Sequence, residues 1–154
     1  MIKYIFVFLL VISVSCTKKS TPETALNDFI NYRFKSSQSK DDLLEMAANP
    51  LREKLESIEG EDLEKFLDTS TIHKRKLKVL LKNCEETKCF ITYVLRYEQG
   101  KDNPKDFGVE VKKIAQVIKE GETWKVSDIN NVKTYVEAKG NLDVSAEGPT
   151  ETNN

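Results

Sequence analysis

Two cysteines, Cys84 and Cys89, are the residues of this sequence whose spacing best suits covalent chemistry. Four residues, Glu85-Glu86-Thr87-Lys88, separate them, and the stretches on both sides read as β-strands. A turn of this length places the cysteines opposite each other across a hairpin, within the Cα separation of about 4.4–6.8 Å that a disulfide requires. We therefore expect a structural disulfide. A redox pair or half of a metal site is the alternative, but no C-x-x-C spacing or neighbouring histidine supports it.

His73 is the only histidine, so a catalytic triad of serine or cysteine with histidine would have to use it. It precedes Lys74 and Arg75, whose positive charges repel a metal ion. The sequence contains no G-x-S-x-G motif of a nucleophile elbow, no glycine-rich phosphate loop and no cluster of metal-ligand residues. We predict a surface position for His73, and neither a metal nor a cofactor for the chain.

Residues 1–16 have the pattern of a secretory signal. Lys3 precedes an apolar run that ends at Val14, and Cys16 follows after one serine. The run is about half of the ~20 residues that a transmembrane helix needs, so it predicts a signal peptide. With a cysteine at the first position after the cleavage site, the segment resembles the signal of bacterial lipoproteins, in which that cysteine is diacylated.

One position departs from the lipoprotein pattern. Ser13 stands where these signals usually carry leucine, and Ser13 and Ser15 would also suit ordinary signal peptidase. A plain secreted form and an uncleaved anchor therefore remain as alternatives. Pairing of the other two cysteines would leave Cys16 as an odd thiol, which acylation removes.

These observations predict where the protein is located in the cell. We predict that residues 1–15 are the signal peptide and that residues 16–20 are a lipidated spacer. The protein then belongs to the cell envelope, facing the periplasm or the exterior, and Cys16 makes the lipid bilayer its partner.

Length and charge limit the remaining function classes. Removal of residues 1–15 leaves 139 residues, about one domain, with 23 basic and 25 acidic side chains. A nucleic-acid-binding protein would carry a clear basic excess, so we predict no nucleic-acid partner. Five basic residues lie within residues 74–82 without an acid. They suit an anionic partner such as phospholipid head groups, but we favour the solvated face of a strand near the acidic segment 53–68.

Helical periodicity dominates the first half of the domain. Ser20 or Thr21 can cap a helix whose first turn contains Pro22, and Ser39 can cap a second helix. Gly60 is placed to end a third helix. The predicted helices cover residues of about 22–35, 40–48, 50–60 and 61–68.

A period of two replaces the helical pattern from residue 71 onward. The predicted strands cover residues of about 76–81, 89–97, 107–119 and 123–129, and Asn130-Asn131 interrupts the last. On the third strand the apolar positions change phase after Val111, which predicts a β-bulge near Lys112–Lys113. Residues 140–154 have the composition of a disordered tail.

The element order therefore predicts an α+β fold, in which N-terminal helices pack on a curved antiparallel sheet over residues 21–139. In four features the sequence resembles members of the NTF2-like superfamily, particularly its small lipoproteins of unknown function. They are the Pro22-Glu23 helix start, the Phe29-Ile30 core pair, the segment Leu51-Arg52-Glu53-Lys54-Leu55, and the strand from Gly121 through Trp124-Lys125-Val126 to Ile129. The resemblance implies that the curved sheet and the helices enclose a cone.

Enzymes of that superfamily work from the cone with carboxylates, tyrosines or histidines. The residues implied here are Tyr32, Tyr93, Asp128 and Tyr135, with Trp124 as lining. Asp128 lies two residues after Val126 and so would share its strand face, where apolar surroundings would raise its pKa and make it a general base. We favour the other interpretation, in which Asp128 caps the Asn130-Asn131 turn and the tyrosines pack in the core.

Three functions remain open at this point, because fold alone does not choose among them. We expect a non-catalytic envelope lipoprotein that binds a small ligand or another envelope protein. The alternatives are an interaction lipoprotein that acts through its sheet face as a homodimer, and an isomerase- or dehydratase-like enzyme with a cone pocket formed by Tyr93, Trp124 and Asp128.

Overall fold

The computed structural model describes residues 20–100 and 107–138. The predicted signal peptide, Cys16 and the predicted tail therefore lie outside the described residues. Four helices come first: α1 (Pro22–Arg33), α2 (Lys40–Met46), α3 (Leu51–Glu56) and α4 (Gly60–Leu67). Four strands follow: β1 (Ile72–Cys84), β2 (Lys88–Gln99), β3 (Phe107–Glu120) and β4 (Thr123–Ala138).

Local side-chain caps explain where the first two helices begin. At α1, the Thr21 hydroxyl accepts a hydrogen bond from the backbone N–H of Thr24 at 3.2 Å, and the Thr24 hydroxyl accepts one from the backbone N–H of Thr21 at 2.8 Å. At α2, the Ser39 hydroxyl accepts the Asp42 N–H at 3.2 Å. The predicted cap at Ser39 is thus confirmed. The prediction for Gly60 is wrong, since this residue opens α4 with a positive φ of 55° instead of ending α3.

The strands form one antiparallel sheet in the order β1-β2-β3-β4. The helices lie over one face of this sheet, where a shared core forms from Leu26, Phe29, Ile30, Leu43, Leu55, Ile91, Tyr93, Leu95, Val117 and Val126. We call the opposite face the outer face. The α+β prediction is confirmed. The NTF2-like cone is not, because the four strands form an open sheet with β1 and β4 at its edges.

The two central strands pair without interruption, whereas both edge strands contain extra residues. β2 and β3 keep one register over their whole length, from Lys88 opposite Ile118 to Gln99 opposite Phe107. On β4, Lys112 faces Lys133 but Lys113 faces Asn131, so Val132 is the extra residue. The register shift at Lys112/Lys113 was predicted, but its extra residue belongs to β4 and not to β3.

A second bulge on β4 lies next to a backbone contact between the sheet and the helical region. Gln116 faces Asp128 but Val117 faces Val126, so Ser127 is extra. Ser127 is fully buried, and its hydroxyl donates a hydrogen bond to the Gln116 carbonyl at 3.1 Å. The Val126 carbonyl then accepts the N–H of Ala48, between α2 and α3, at 2.9 Å. The predicted interruption at Asn130-Asn131 is wrong, because both residues pair with β3 within one continuous strand.

Candidate functional site

A cavity of about 380 Å³ lies between the helices and the sheet. We call it the helix–sheet cavity. Most of its wall is apolar and comes from α1, α3, α4, β2, β4 and the short segments that follow α1 and α3. The apolar lining side chains are Phe29, Ile30, Phe34, Leu51, Leu55, Ile58, Phe66, Leu95 and Ile129. Four polar side chains complete the lining, and they are Arg33, Lys54, Tyr93 and Lys113. Apolar walls with a few convergent polar groups are typical of small-molecule sites.

Tyr93 lies at the base of this cavity, on the central strand β2. Its side chain is fully buried, and its hydroxyl has no hydrogen-bond partner among the described residues. Burial raises the pKa of Tyr93 well above its ordinary value, so the hydroxyl is neutral and available as a donor. An unsatisfied buried hydroxyl costs about 1–3 kcal/mol, which makes its persistence here informative.

Lys113 is directly opposite Tyr93 on the neighbouring strand β3. Because β2 and β3 are in regular register, Lys113 follows the same face as Val109, Val111, Ala115 and Val117 and therefore points toward the helices. Burial is the larger cause that lowers the pKa of Lys113, and the nearby positive charge of Arg33 is the second. Among the described residues, the side chain of Lys113 has neither a hydrogen bond nor an ion pair.

Arg33 enters the cavity from the last turn of α1. Its guanidinium donates hydrogen bonds to the Gln38 side chain at 3.3 Å and to the Phe66 carbonyl, and it stacks 3.7 Å from the centre of the Phe66 ring. Gln38 in turn donates to the Leu67 carbonyl at 2.7 Å, so α4 holds this part of the wall in place. Burial lowers the pKa of Arg33 to about 10, and the side chain stays charged at neutral pH.

Charge in the cavity is therefore of one sign. Three cations line it, and no carboxylate does. Lys54 at the rim is neutralised by Asp128, with 3.1 Å between its Nζ and Oδ1. Arg33 and Lys113 have no such acid within the described part of the chain. Desolvated cations without a counter-charge are unfavourable, so a bound anion would stabilise Arg33 and Lys113.

Asp128 does not line the helix–sheet cavity. The extra residue Ser127 breaks the alternation between Val126 and Asp128, which pair with successive residues of β3. Partial burial alone would raise the pKa of Asp128, but hydrogen bonds from Lys54 and Asn130, the Lys54 charge and the Ile129 N–H together hold this pKa below its ordinary value. The raised pKa that a pocket position would give Asp128 is not found, and the carboxylate is held ionised outside the helix–sheet cavity.

The other predicted residues lie apart from one another. Trp124 lines a separate cavity of about 320 Å³ near Ser20, whose hydroxyl accepts a hydrogen bond from the backbone N–H of Trp124 at 3.3 Å. The Tyr32 hydroxyl donates to Asp42, and Tyr135 is half exposed near the far end of β4. Of the predicted pocket residues Tyr93, Trp124 and Asp128, only Tyr93 lines the helix–sheet cavity.

Cys84 and Cys89 are directly opposite each other at the β1–β2 turn, with their sulfurs 1.91 Å apart. The structure thus places the predicted pair at disulfide distance. Protein made in an oxidising compartment is expected to have a non-reduced mass two hydrogens lighter than that of the reduced chain. Two free thiols under those conditions would contradict the predicted bond.

No metal-ligand cluster of three or more His, Cys, Asp or Glu side chains occurs in residues 20–100 and 107–138. Within the same two ranges, no helix combines the length and the apolar character that crossing a membrane requires.

Comparison with known proteins identifies a fold neighbour but not a family. No protein-family model matches the chain, and no curated protein sequence matches it. The solution structure of a SEC-C motif containing protein from Rhodopseudomonas palustris superposes with a TM-score of 0.52 at 16% sequence identity. The match covers 73% of this chain and 80% of the neighbour. At this identity the likeness concerns the fold alone.

This neighbour contradicts the assignment to the NTF2-like superfamily. The resemblance depended on element order and on the Trp124-Lys125-Val126 strand, and helices followed by an antiparallel meander occur in more than one α+β fold. The structural likeness is to a SEC-C motif containing protein with a small antiparallel sheet.

Proposed function

We propose that this protein is a non-catalytic lipoprotein of the bacterial cell envelope that binds a small molecule in the helix–sheet cavity. One observation carries the ligand-binding part of the proposal. The buried Tyr93 hydroxyl lines an apolar cavity of about 380 Å³ and has no partner among the described residues. A ligand atom that accepts its hydrogen bond would satisfy it.

The localisation part is supported by a different observation, the lipoprotein-like sequence that ends at Cys16. A diacylated Cys16 would tether the domain at the bilayer surface, facing the periplasm or the exterior. α1 begins at Pro22, only a few residues after the anchor, so the spacer of residues 16–20 would keep the domain close to the membrane.

The catalytic alternative has little support at Asp128. A general base works best when its pKa lies near the operating pH, and here the pKa of the named carboxylate is lowered instead. Tyr93 does not replace it as a base, since burial keeps its hydroxyl protonated. Binding is therefore the function that the cavity favours.

Methyl NMR of the full-length protein in phosphatidylcholine nanodiscs tests ligand binding. Titration with octanol or octanoate is expected to shift the methyl signals of Ile30, Leu55 and Ile58, which line the cavity. An Ile58→Trp variant fills the space and is expected to bind both compounds more weakly.

A Leu81→Trp variant is the matched control, because Leu81 is 65% exposed on the outer face. It adds the same ring to the protein but leaves the cavity unchanged. Equal binding by both variants, or no shift of the cavity methyls with either compound, would contradict the proposed function.

A specific observation also supports the homodimer alternative. Leu81, Phe90 and Ile114 are 65%, 43% and 36% exposed, and β-sheet pairing brings them to the same outer face. Oxidation of an Ile114→Cys variant on membranes would link two copies through this face. Comparable linkage of Val136→Cys, which is exposed elsewhere on β4, would count against the interface.

A further inference from the structure

The helix–sheet cavity also carries information on the charge of its ligand. We infer that the ligand is an amphipathic anion, with a carboxylate or a similarly compact acidic head and an apolar body. This inference rests on the proposed ligand-binding function. It adds a chemical class, which the volume and the apolar wall alone do not define.

The position of the head follows from three polar groups. Lys113 and Tyr93 are cross-strand neighbours on the helix-facing side of the sheet, where directly opposite side chains lie about 4.5–5.5 Å apart at Cβ. Arg33 reaches the same region from α1, near enough for its charge to act on Lys113. Two cations and one neutral hydroxyl donor therefore converge, and each of them can donate a hydrogen bond to an anion.

The absence of a competing acid strengthens this assignment. The ion pairs found among the described residues include Lys54 with Asp128, Lys82 with Glu23 and Arg96 with Glu110, but neither Arg33 nor Lys113 takes part in one. An anion between Arg33 and Lys113 would compensate their desolvation and reduce their mutual repulsion. A neutral ligand would do neither.

The remaining wall defines the rest of the ligand. We call the region around Arg33, Tyr93 and Lys113 the polar corner. Nine apolar side chains surround it, and none of these can donate a side-chain hydrogen bond; they include Phe29, Ile30, Leu55 and Ile58. A second charged group on the ligand would lie against this surface and would be unfavourable. The cavity therefore fits one acidic head and an alkyl or aryl body.

The octanoate and octanol titrations compare two ligands with the same tail and different heads. Wild-type protein in uncharged nanodiscs is expected to bind octanoate at least about tenfold more tightly than octanol, because charge-assisted hydrogen bonds form only with the carboxylate. A Lys113→Met variant is expected to lose this preference and to keep its affinity for octanol. A Tyr93→Phe variant is expected to weaken octanoate binding while the cavity keeps its shape.

Lys112→Met is the control, since Lys112 directly precedes Lys113 but lies on the outer face. It removes the same charge and is expected to leave the octanoate preference intact. If Lys113→Met does not fold, Lys113→Gln removes the charge and keeps a polar side chain, with the same expected loss.

The outcomes separate the two proposals. Equal affinity for octanol and octanoate, or a preference that survives both Lys113 variants, would overturn the inference on charge and leave cavity binding intact. Binding of neither compound would overturn both.

Discussion

A full-length Cys16→Ser chain is expected to leave the membrane fraction and to incorporate no labelled palmitate. A diacylglyceryl group inserts two acyl chains, and each buried CH₂ contributes about 0.8 kcal/mol, whereas a single acyl chain binds a membrane only marginally. Wild-type protein should therefore remain on the membrane after washing in high salt. Fractionation and palmitate labelling of cells that produce either form measure the effect.

Intact mass separates the alternatives for this segment. A lipidated protein begins at Cys16 and carries the added acyl mass, a plain secreted form begins at Cys16 without it, and an uncleaved anchor retains residues 1–15. Wild-type protein without label would show that Ser13, where leucine is usual, prevents recognition as a lipoprotein.

Replacement of Leu26 by Ala is expected to lower the free energy of unfolding by about 2–5 kcal/mol, a large part of the ~5–15 kcal/mol that stabilises a typical domain. Leu26 is completely buried where α1 packs on the sheet, and its truncation leaves a cavity in the shared core. Urea unfolding of the full-length chain, followed by circular dichroism, measures the change.

Leu81→Ala provides the same deletion at a position that is 65% exposed. A surface change of this kind is expected to stay within about 0.5 kcal/mol. Similar effects of the two variants would mean that α1 does not contribute a buried face to the core.

Local signals made most of the elements predictable. The Ser39 cap and the Pro22 start act over three or four residues, so they can be read without knowledge of the fold. The β-branched and aromatic residues of β2 likewise favour a strand without reference to its neighbours. The prediction for Gly60 is wrong because a glycine with positive φ is typical of a helix end, whereas here this conformation occurs at the first residue of α4.

The bulges required knowledge of strand partners. The sequence of β3 suggested a phase change after Val111, but β3 is regular, and Ile114 instead points to the outer face. The extra residues Ser127 and Val132 are on β4, and a bulge can be assigned to one strand only when its partner is known. The bulge at Ser127 is also the reason that simple alternation from Val126 does not give the face of Asp128.

One residue of the polar corner, Lys113, has a weak sequence signal that the predicted site does not include. Val109, Val111, Ala115 and Val117 alternate on one face of β3, and Lys113 occupies the middle position of that series. A lysine on an apolar phase is a candidate functional residue. Its neighbours Tyr93 and Arg33 come from distant parts of the chain, so only the fold brings them together.

The irregular edge strands also limit how copies of this chain can associate. A regular edge exposes backbone donors and acceptors that can pair with another chain, and this pairing leads to aggregation. Here β1 and β4 carry extra residues that interrupt such a ladder, and Ala48 occupies the Val126 carbonyl on β4. Strand-by-strand polymerisation is thereby disfavoured even where copies are crowded side by side.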